Sequence, residues 1–183
     1  RTVHGYVEAR AWKMKQSMQK LLRLPAAVSP LEDFAPGRCF LPVISGEGRG
    51  DVPLVLFCSG KIAYELEEEL AQRQDAGAVV VRLEQLYPFP EKALADLARR
   101  WPDARCRWVQ EESENMGAWS WVRPRLEAVL AGVGLRSVEL AYVGRPESPS
   151  TAGSFHGDHD ADQRSIVERA CAAAPPAQAT RAA

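Results

Sequence analysis

The chain has 183 residues, which suits one compact domain with appendages and excludes a large multidomain catalyst. Lys and Arg total 23 against 24 Asp and Glu, so the net charge of −1 gives no field that would attract nucleic acid or an anionic membrane, and neither is an expected partner. Hydrophobic residues at 46% and charged residues at 26% are typical of globular proteins and exclude global disorder.

The N-terminal segment predicts a helix over residues 1–24. Five apolar residues recur at helical spacing before Pro25 ends the pattern: Val7, Ala11, Met14, Met18 and Leu21. The chain begins with Arg1 rather than Met and no apolar signal segment follows, so we expect a piece of a longer protein without a signal peptide. Residues 25–50 carry four prolines and four glycines, which predicts a connector with one short strand at Arg38–Ile44.

From Asp51, short apolar runs alternate with amphipathic stretches, which predicts an α/β domain over residues 51–172. Strands are predicted at 52–58, 78–86, 106–110 and 138–143, and helices at 61–75, 91–100, 117–131 and 160–172. Strands separated by helices need crossover connections, so we expect a mainly parallel sheet covered on both faces, in three layers. The Ala- and Pro-rich residues 173–183 predict a disordered tail.

Ligands of such sheets bind at the carboxyl ends of the strands, here residues 59–61, 84–87, 111–115 and 144–150. Ser59, Gly60 and Lys61 open a helix, and we interpret them as a helix cap rather than a weak anion contact, because the P-loop pattern is absent. Glu111 and Glu112 are consecutive strand residues that point to opposite faces, so they are not expected to form a catalytic pair. One of them is expected to pair with an arginine or a backbone N–H.

Metal and nucleophile chemistry are not favoured. The four cysteines are widely spaced without a C-x-x-C pair, which predicts buried thiols in a reduced compartment: Cys39, Cys58, Cys106 and Cys171. His156 and His159 lie among aspartates, but the spacing fits neither a calcium loop nor a zinc site, and a solvated acidic helix start is expected instead. A Cys58–His pair has no support, and the G-x-S-x-G pattern of hydrolases is absent.

Two aromatic pairs, Trp119 with Trp121 and Tyr87 with Phe89, are interpreted as core or interface anchors rather than a stacking platform.

A series of short phrases follows a fixed order between residues 20 and 172. They are Lys20-Leu-Leu-Arg23 with Ala27-Val28-Ser29, Leu31-Glu-Asp-Phe34, Leu56-Phe-Cys-Ser-Gly-Lys61, Val81-Arg-Leu-Glu-Gln-Leu-Tyr-Pro-Phe-Pro90, Trp108-Val-Gln-Glu-Glu112, Asn115-x-Gly117-Ala-Trp119, Pro124-Arg-Leu126, Tyr142-x-Gly-Arg-Pro146 and His159-x-x-x-Gln163. The series resembles the C-terminal domain of 2-oxoglutarate dehydrogenase. Two departures are the absence of a Ser-Pro-Lys-Ser phrase near residues 17–20 and Ser113, where many members have Pro or His.

The resemblance implies a transketolase C-terminal-like fold and a parent enzyme of the citric acid cycle. Such a parent decarboxylates 2-oxoglutarate with thiamine diphosphate and magnesium and passes the succinyl group to the lipoyl arm of a dihydrolipoyl succinyltransferase component. The resemblance also implies that the parent is a homodimer braced by this domain, in a bacterial cytoplasm or a mitochondrial matrix. The Glu-Glu-x-x-Asn-x-Gly phrase points to the 2-oxoglutarate branch rather than to enzymes for pyruvate or branched-chain acids.

The chain itself is expected to bind no cofactor and to be inactive alone. The sequence does not contain the cofactor motif, which is Gly-Asp-Gly followed later by Asn, because Asn115 is the only Asn and neither Gly-Asp pair is followed by Gly. No catalytic, cofactor-binding or metal residue is therefore predicted. Interface or effector candidates are Ser59, Lys61, Arg82, Glu112, Asn115, Gly117, Trp119 and Arg145. The alternative is a free-standing module that binds an acyl-CoA or nucleotide effector through Lys61, Arg82 and Arg145.

Overall fold

The structure is a computed structural model that describes residues 24–48, 51–73, 77–135, 139–149 and 156–172, with the side chains of the last segment described from Asp160 onward. The helix predicted over residues 1–24, apart from Leu24, and the tail predicted over 173–183 lie outside the described residues. Two compact units divide the chain after Phe40. In the first unit, single 3-10 turns span Pro25–Ala27 and Leu31–Phe34, and Pro25 suits a helix start because its φ is fixed near −65°.

A five-stranded sheet forms the centre of the second unit. Its strands are β1 (Val43–Ser45), β2 (Leu54–Cys58), β3 (Ala78–Leu83), β4 (Arg105–Ser113) and β5 (Leu140–Arg145). They lie in the order β1-β3-β2-β4-β5, and all neighbours are parallel except the edge strand β1, which runs antiparallel to β3. The helices are α1 (Ile62–Arg73), α2 (Glu91–Ala98), α3 (Trp119–Gly132) and α4 (His156–Cys171). The predicted mainly parallel α/β fold is confirmed.

Helices cover both faces of the sheet and create two apolar cores. Side chains alternate along a strand, so Leu56 of β2 packs towards α1 and α4 while Phe57 packs towards α2 and α3. All five residues of β2 are buried because both of its faces are covered. Within the described residues, no helix combines the length and the apolar character needed to cross a bilayer.

The observed boundaries correct several predictions. β1 begins at Val43 rather than at residue 38, and β3 ends at Leu83, before the polar residues that were included in the predicted strand. β4 continues to Ser113, where a loop was predicted from Glu111, because its polar side chains find partners on both faces of the sheet. α4 begins at His156, four residues before its predicted start. The acidic residues of this stretch are favourable there, because negative charge stabilises the first turn of a helix.

Candidate functional site

The carboxyl end of β4 contains a bulge that organises the predicted site. Val109 pairs with Val143 and Ser113 pairs with Arg145, so three residues of β4 lie opposite the single Gly144 of β5. Bulges of this kind redirect side chains next to functional sites. Here Gln110 points to the face of α2 and α3, and Glu111 points to the face of α1 and α4. Two separate polar clusters result.

The first cluster, which we call the Lys61 network, consists of Lys61, Glu65, Glu111, Arg145 and Gln163. At the start of α1, Lys61 Nζ forms ion pairs with the Glu65 carboxylate and, at 3.0 Å, with Glu111 Oε1. From α4, Gln163 Nε2 donates to Glu65 Oε2 at 2.7 Å and to Glu111 Oε1 at 2.9 Å. One amide and one ammonium therefore hold both carboxylates.

Arg145, the last residue of β5, completes the network. Its Nη1 donates to the backbone carbonyl of Glu111, and its Nη2 lies 3.4 Å from Gln163 Oε1. Its Nε lies 3.6 Å from Asp162 Oδ2, a carboxylate whose side chain is 62% exposed. The network thereby joins α1, β4, β5 and α4 at one edge of the sheet.

Charge within the Lys61 network is balanced internally. Burial lowers the pKa of Lys61, but the carboxylates of Glu111 and Glu65 outweigh that effect and raise the pKa above its ordinary value. Lys61 therefore stays charged and directed at its own carboxylates. The Glu111 carboxylate thus has the structural pairing role expected for one member of the Glu111-Glu112 pair. Its partners are the Lys61 ammonium and the Gln163 amide rather than the expected arginine or backbone N–H.

Arg82 lies apart from the Lys61 network, on β3. Its Nε is 2.5 Å from Glu84 Oε1, without the alignment of a hydrogen bond, and its guanidinium lies 4.8 Å from the centre of the Tyr64 ring. The predicted effector cluster of Lys61, Arg82 and Arg145 is thus three cations that already have carboxylate partners. Ser59 is half-buried at the end of β2.

The second cluster surrounds Gln110, whose residue surface is 3% exposed. Gln110 Oε1 accepts from the indole Nε1 of Trp108 at 2.9 Å and from the backbone N–H of Trp119 at 3.1 Å. Its Nε2 donates to the carbonyls of Ser113 at 3.0 Å and Met116 at 2.8 Å. A single neutral amide therefore fixes the turn after β4 and the first residue of α3.

The turn between β4 and α3 presents the remaining predicted candidates. Gly117 has a φ of +69°, and a Cβ there would lie 3.1 Å from Gln110 Oε1 and from the Glu112 side chain, so a side chain is disfavoured twice. The amide of Asn115 exchanges two hydrogen bonds with the backbone of Ser148, at 3.0 and 3.1 Å. Glu112, Asn115 and Gly117 are exposed.

The tyrosine of β5 closes the second cluster. The Tyr142 hydroxyl lies 3.1 Å from the Glu112 carbonyl and 2.9 Å from the Arg145 carbonyl, and its ring centre is 5.2 Å from that of Trp119. Burial raises the pKa of Tyr142 to about 12, so its hydroxyl remains protonated and able to donate.

Each aromatic pair divides between core and surface. Trp119 is 6% exposed and belongs to the core, one of the two roles predicted for the pair, whereas Trp121 is 39% exposed. Phe89 is half-buried against the same core, whereas Tyr87 is 81% exposed.

None of the four cysteines, all of which lie in the described part of the chain, forms a disulfide, and the predicted burial holds for three of them while Cys39 is exposed. Burial raises the pKa of Cys58 and of Cys106 to about 12, which removes the thiolate needed for nucleophilic chemistry at neutral pH. The side chains of His156 and His159 lie outside the described residues. Within the described part of the chain, no three His, Cys, Asp or Glu side chains converge as metal ligands do.

Sequence reasoning missed Gln110, Gln163 and Arg107 as structural centres. Arg107 Nη1 donates to three carbonyls at the end of α4, those of Arg169, Ala170 and Ala172. Gln110 carried a readable signal, because it continues the buried alternation of Cys106 and Trp108 along one face of β4. The partners of Arg107 and Gln163 depend on where α4 packs, which no local pattern encodes.

Comparison with known proteins gives a consistent family match. A family model described as "2-oxoglutarate dehydrogenase C-terminal" matches residues 28–171. The 2-oxoadipate dehydrogenase complex component E1 of Xenopus laevis is 42% identical over 157 residues, which cover 82% of this chain and 16% of that protein.

Two bacterial relatives give the same picture. The 2-oxoglutarate dehydrogenase E1 component of Exiguobacterium sp. is 36% identical over 83% of this chain, and that of Cupriavidus necator is 36% identical over 84%. Each alignment covers 16% of the relative, so the chain spans about a sixth of the length of these curated proteins.

Proposed function

The chain belongs to the 2-oxoglutarate dehydrogenase C-terminal family, and on that premise we propose that it is the assembly domain of a larger thiamine-dependent 2-oxo acid dehydrogenase. In this proposal the parent enzyme decarboxylates 2-oxoglutarate and transfers the succinyl group to a lipoyl arm. The observation that supports this proposal is the family match over residues 28–171, combined with the fact that the chain aligns with only about a sixth of the length of its relatives. The domain contributes structure, and the reaction centre lies in the rest of the parent polypeptide.

The described residues do not fit thiamine diphosphate with magnesium. A diphosphate needs free donors, and magnesium needs a small set of oxygen ligands. Lys61 and Arg145, two cations beside the bulge, are bound by Glu65, Glu111 and Asp162, and no metal-ligand group converges among the described residues. We therefore assign no catalytic step to this chain.

The same pairing argues against the effector module. Lys61 and Arg82 would each have to leave a partly buried carboxylate before binding a phosphate. Arg145 would have to leave the exposed Asp162 carboxylate and the Glu111 carbonyl. The candidates that remain open to a protein partner are Glu112, Asn115 and Gly117, on the turn between β4 and α3. In the proposal this turn contacts the thiamine-binding part of the parent.

Partners and location follow as parts of the same proposal. The parent is a homodimer that binds a dihydrolipoyl succinyltransferase component, in a bacterial cytoplasm or a mitochondrial matrix. The relatives are named for 2-oxoglutarate and for 2-oxoadipate, two dicarboxylic 2-oxo acids that differ by one methylene group. The parent's preference between them is set outside the region described here.

A comparison of the isolated chain with its full-length parent tests the proposal. The 183-residue chain and the full-length parent are each assayed for reduction of an artificial electron acceptor with thiamine diphosphate, magnesium and either 2-oxoglutarate or 2-oxoadipate. We expect turnover by the parent, a higher kcat/KM for 2-oxoglutarate, and none by the chain alone. Turnover by the isolated chain, or a parent inactive on both acids, contradicts the proposal.

A further inference from the structure

Helix α3 carries two apolar stripes, although a helix on the surface of a domain normally needs only one. The first stripe is buried against the sheet and consists of Trp119, Val122, Leu126 and Leu130. The second lies on the outer side at spacings of three and four and consists of Trp121, Pro124 and Ala128. All three residues of the second stripe are exposed.

The second stripe continues into Tyr87, in the segment that follows β3. The centres of the Tyr87 and Trp121 rings are 6.3 Å apart and the rings are tilted by 57°. Beyond them, Glu91, Pro124, Ala128 and Val129 line a shallow groove between α2 and α3. We call Tyr87, Trp121, Pro124, Arg125 and Ala128 the aromatic ledge.

Hydrogen bonds and stacking hold two side chains of the aromatic ledge, Trp121 and Arg125. Trp121 Nε1 donates to the Leu86 carbonyl at 3.1 Å, which ties α3 to the segment after β3. Arg125 stacks on the Trp121 ring, 3.3 Å from its centre, and donates to the Trp121 carbonyl at 2.8 Å. A surface fixed in this way binds a partner with little further loss of conformational entropy.

The composition of the ledge is that of a protein interface. Tyr, Trp and Arg are the residues most enriched where a few side chains dominate binding, and clustered exposed apolar surface marks such sites. Within the residues that the structure describes, Arg125 has no carboxylate within ion-pair distance. The ledge therefore combines exposed aromatic surface with a positive charge that a partner can neutralise.

We propose that the aromatic ledge docks the thiamine-binding part of the parent polypeptide, through an apolar segment that carries a carboxylate for Arg125. The inference rests on the proposed function, and its occupant follows from the five-sixths of the relatives' length that lies outside this match. The turn between β4 and α3 leads into the helix that carries Trp121, and in this inference both surfaces contact the same partner.

Photo-crosslinking in the full-length parent tests the occupant. The photoreactive residue p-benzoylphenylalanine replaces Tyr87, with the same replacement at exposed Arg99, beyond the far end of α2, as the control. We expect crosslinks from position 87 to the thiamine-binding part of the polypeptide, at more than ten times the yield from position 99. Crosslinks to residues 1–183 of a second copy, to the acyltransferase component alone, or none, overturn the inference.

Hydrogen exchange in the same parent tests the energetics. Tyr87→Ser combined with Arg125→Glu should accelerate exchange of the α3 amides at least tenfold, whereas Tyr87→Phe and the matched charge reversal Arg99→Glu should not. Unchanged exchange in the double variant overturns the docking inference even when the parent turns over 2-oxoglutarate. If the wild-type parent turns over no 2-oxo acid, the proposed function is contradicted instead. Failure of the docking inference and failure of the proposed function are therefore distinguishable.

Discussion

Gln110 and Glu111 are neighbours in β4, yet their side chains enter different environments. Gln110 is 3% exposed and satisfies four groups with one neutral amide. The Glu111 side chain is 27% exposed and shares Lys61, whose side chain is 16% exposed, with Glu65. The more deeply buried position holds the neutral group, and the charged groups lie where water still reaches them.

This difference follows from the cost of desolvation. A buried charge costs far more than a buried amide unless it is paired, and a buried amide costs little when each of its atoms is bonded. The Gln110 cluster should therefore contribute more to stability and respond little to pH. The Lys61 network should contribute less and respond to alkaline pH. Three substitutions test this comparison.

Gln110→Ala should have the largest effect. It leaves the Trp108 indole N–H, the Trp119 backbone N–H and the Met116 carbonyl without that partner, at about 1–3 kcal/mol for each group that stays buried, whereas the Ser113 carbonyl keeps the Met116 N–H. With partial relaxation we expect a loss of about 4 kcal/mol in the free energy of unfolding, measured by urea denaturation. The control Gln72→Ala removes an exposed glutamine that lies 3.4 Å from Glu68. It should change the free energy of unfolding by only a few tenths of a kcal/mol. Similar effects of the two variants would contradict the central role of Gln110.

Gly144→Ala should have the next largest effect, because it adds a methyl group at the bulge that separates the two clusters. The added Cβ would overlap the Tyr142 hydroxyl, which lies between the Glu112 and Arg145 carbonyls, and would lie 3.0 Å from the Gln110 carbonyl. Such overpacking costs about 1–3 kcal/mol.

A double-mutant cycle identifies the cause of that cost. In a Tyr142→Leu background the Gly144→Ala penalty should fall by about half, since only the contact with the Gln110 backbone remains. Gly132→Ala, at the end of α3 with no atom within 4 Å of the new Cβ, should be neutral or slightly stabilising. An equal Gly144→Ala penalty in both backgrounds would show that the Tyr142 ring is not responsible.

The fold was predictable because its signals are local. Apolar runs such as Leu54–Cys58 and the helical spacing of Ile62, Leu66 and Leu70 identify buried strands and amphipathic helices, and their alternation requires a parallel sheet. The expectation that the side chains of Glu111 and Glu112 point to opposite faces followed from the two-residue period of a strand. A helix places residues two apart about 200° apart, so Trp119 and Trp121 could have been assigned to opposite sides.

The site was less predictable because its contacts join distant parts of the chain. Lys61 and Glu111 are brought together by the pairing of β2 with β4, and Gln163 arrives with α4. The bulge depends on the register between β4 and β5, which the sequence of β4 alone does not encode. The polar residues 111–113 therefore resembled a loop until their tertiary partners were known.

Lys61→Met should have the smallest effect of the three. It retains the apolar length of the side chain but leaves the carboxylates of Glu65 and Glu111 without their shared cation, and partial exposure limits the loss to about 1 kcal/mol at pH 7. Arg99→Met removes an ion pair with Asp96 whose two side chains are 58% and 60% exposed, and should cost only a few tenths of a kcal/mol.

The pH dependence of this loss distinguishes charge from packing. Pairing raises the pKa of Lys61 in the folded state above its unfolded value, so the stabilisation is complete below about pH 10 and is lost as pH rises through the folded pKa. The difference in unfolding free energy between wild type and Lys61→Met should therefore shrink above that pH, while the buried thiols Cys58 and Cys106 titrate equally in both proteins and cancel. A difference that stays constant from pH 7 to 11.5 would assign the contribution of Lys61 to its methylene packing, and the contrast between the two faces of β4 would then rest on burial alone.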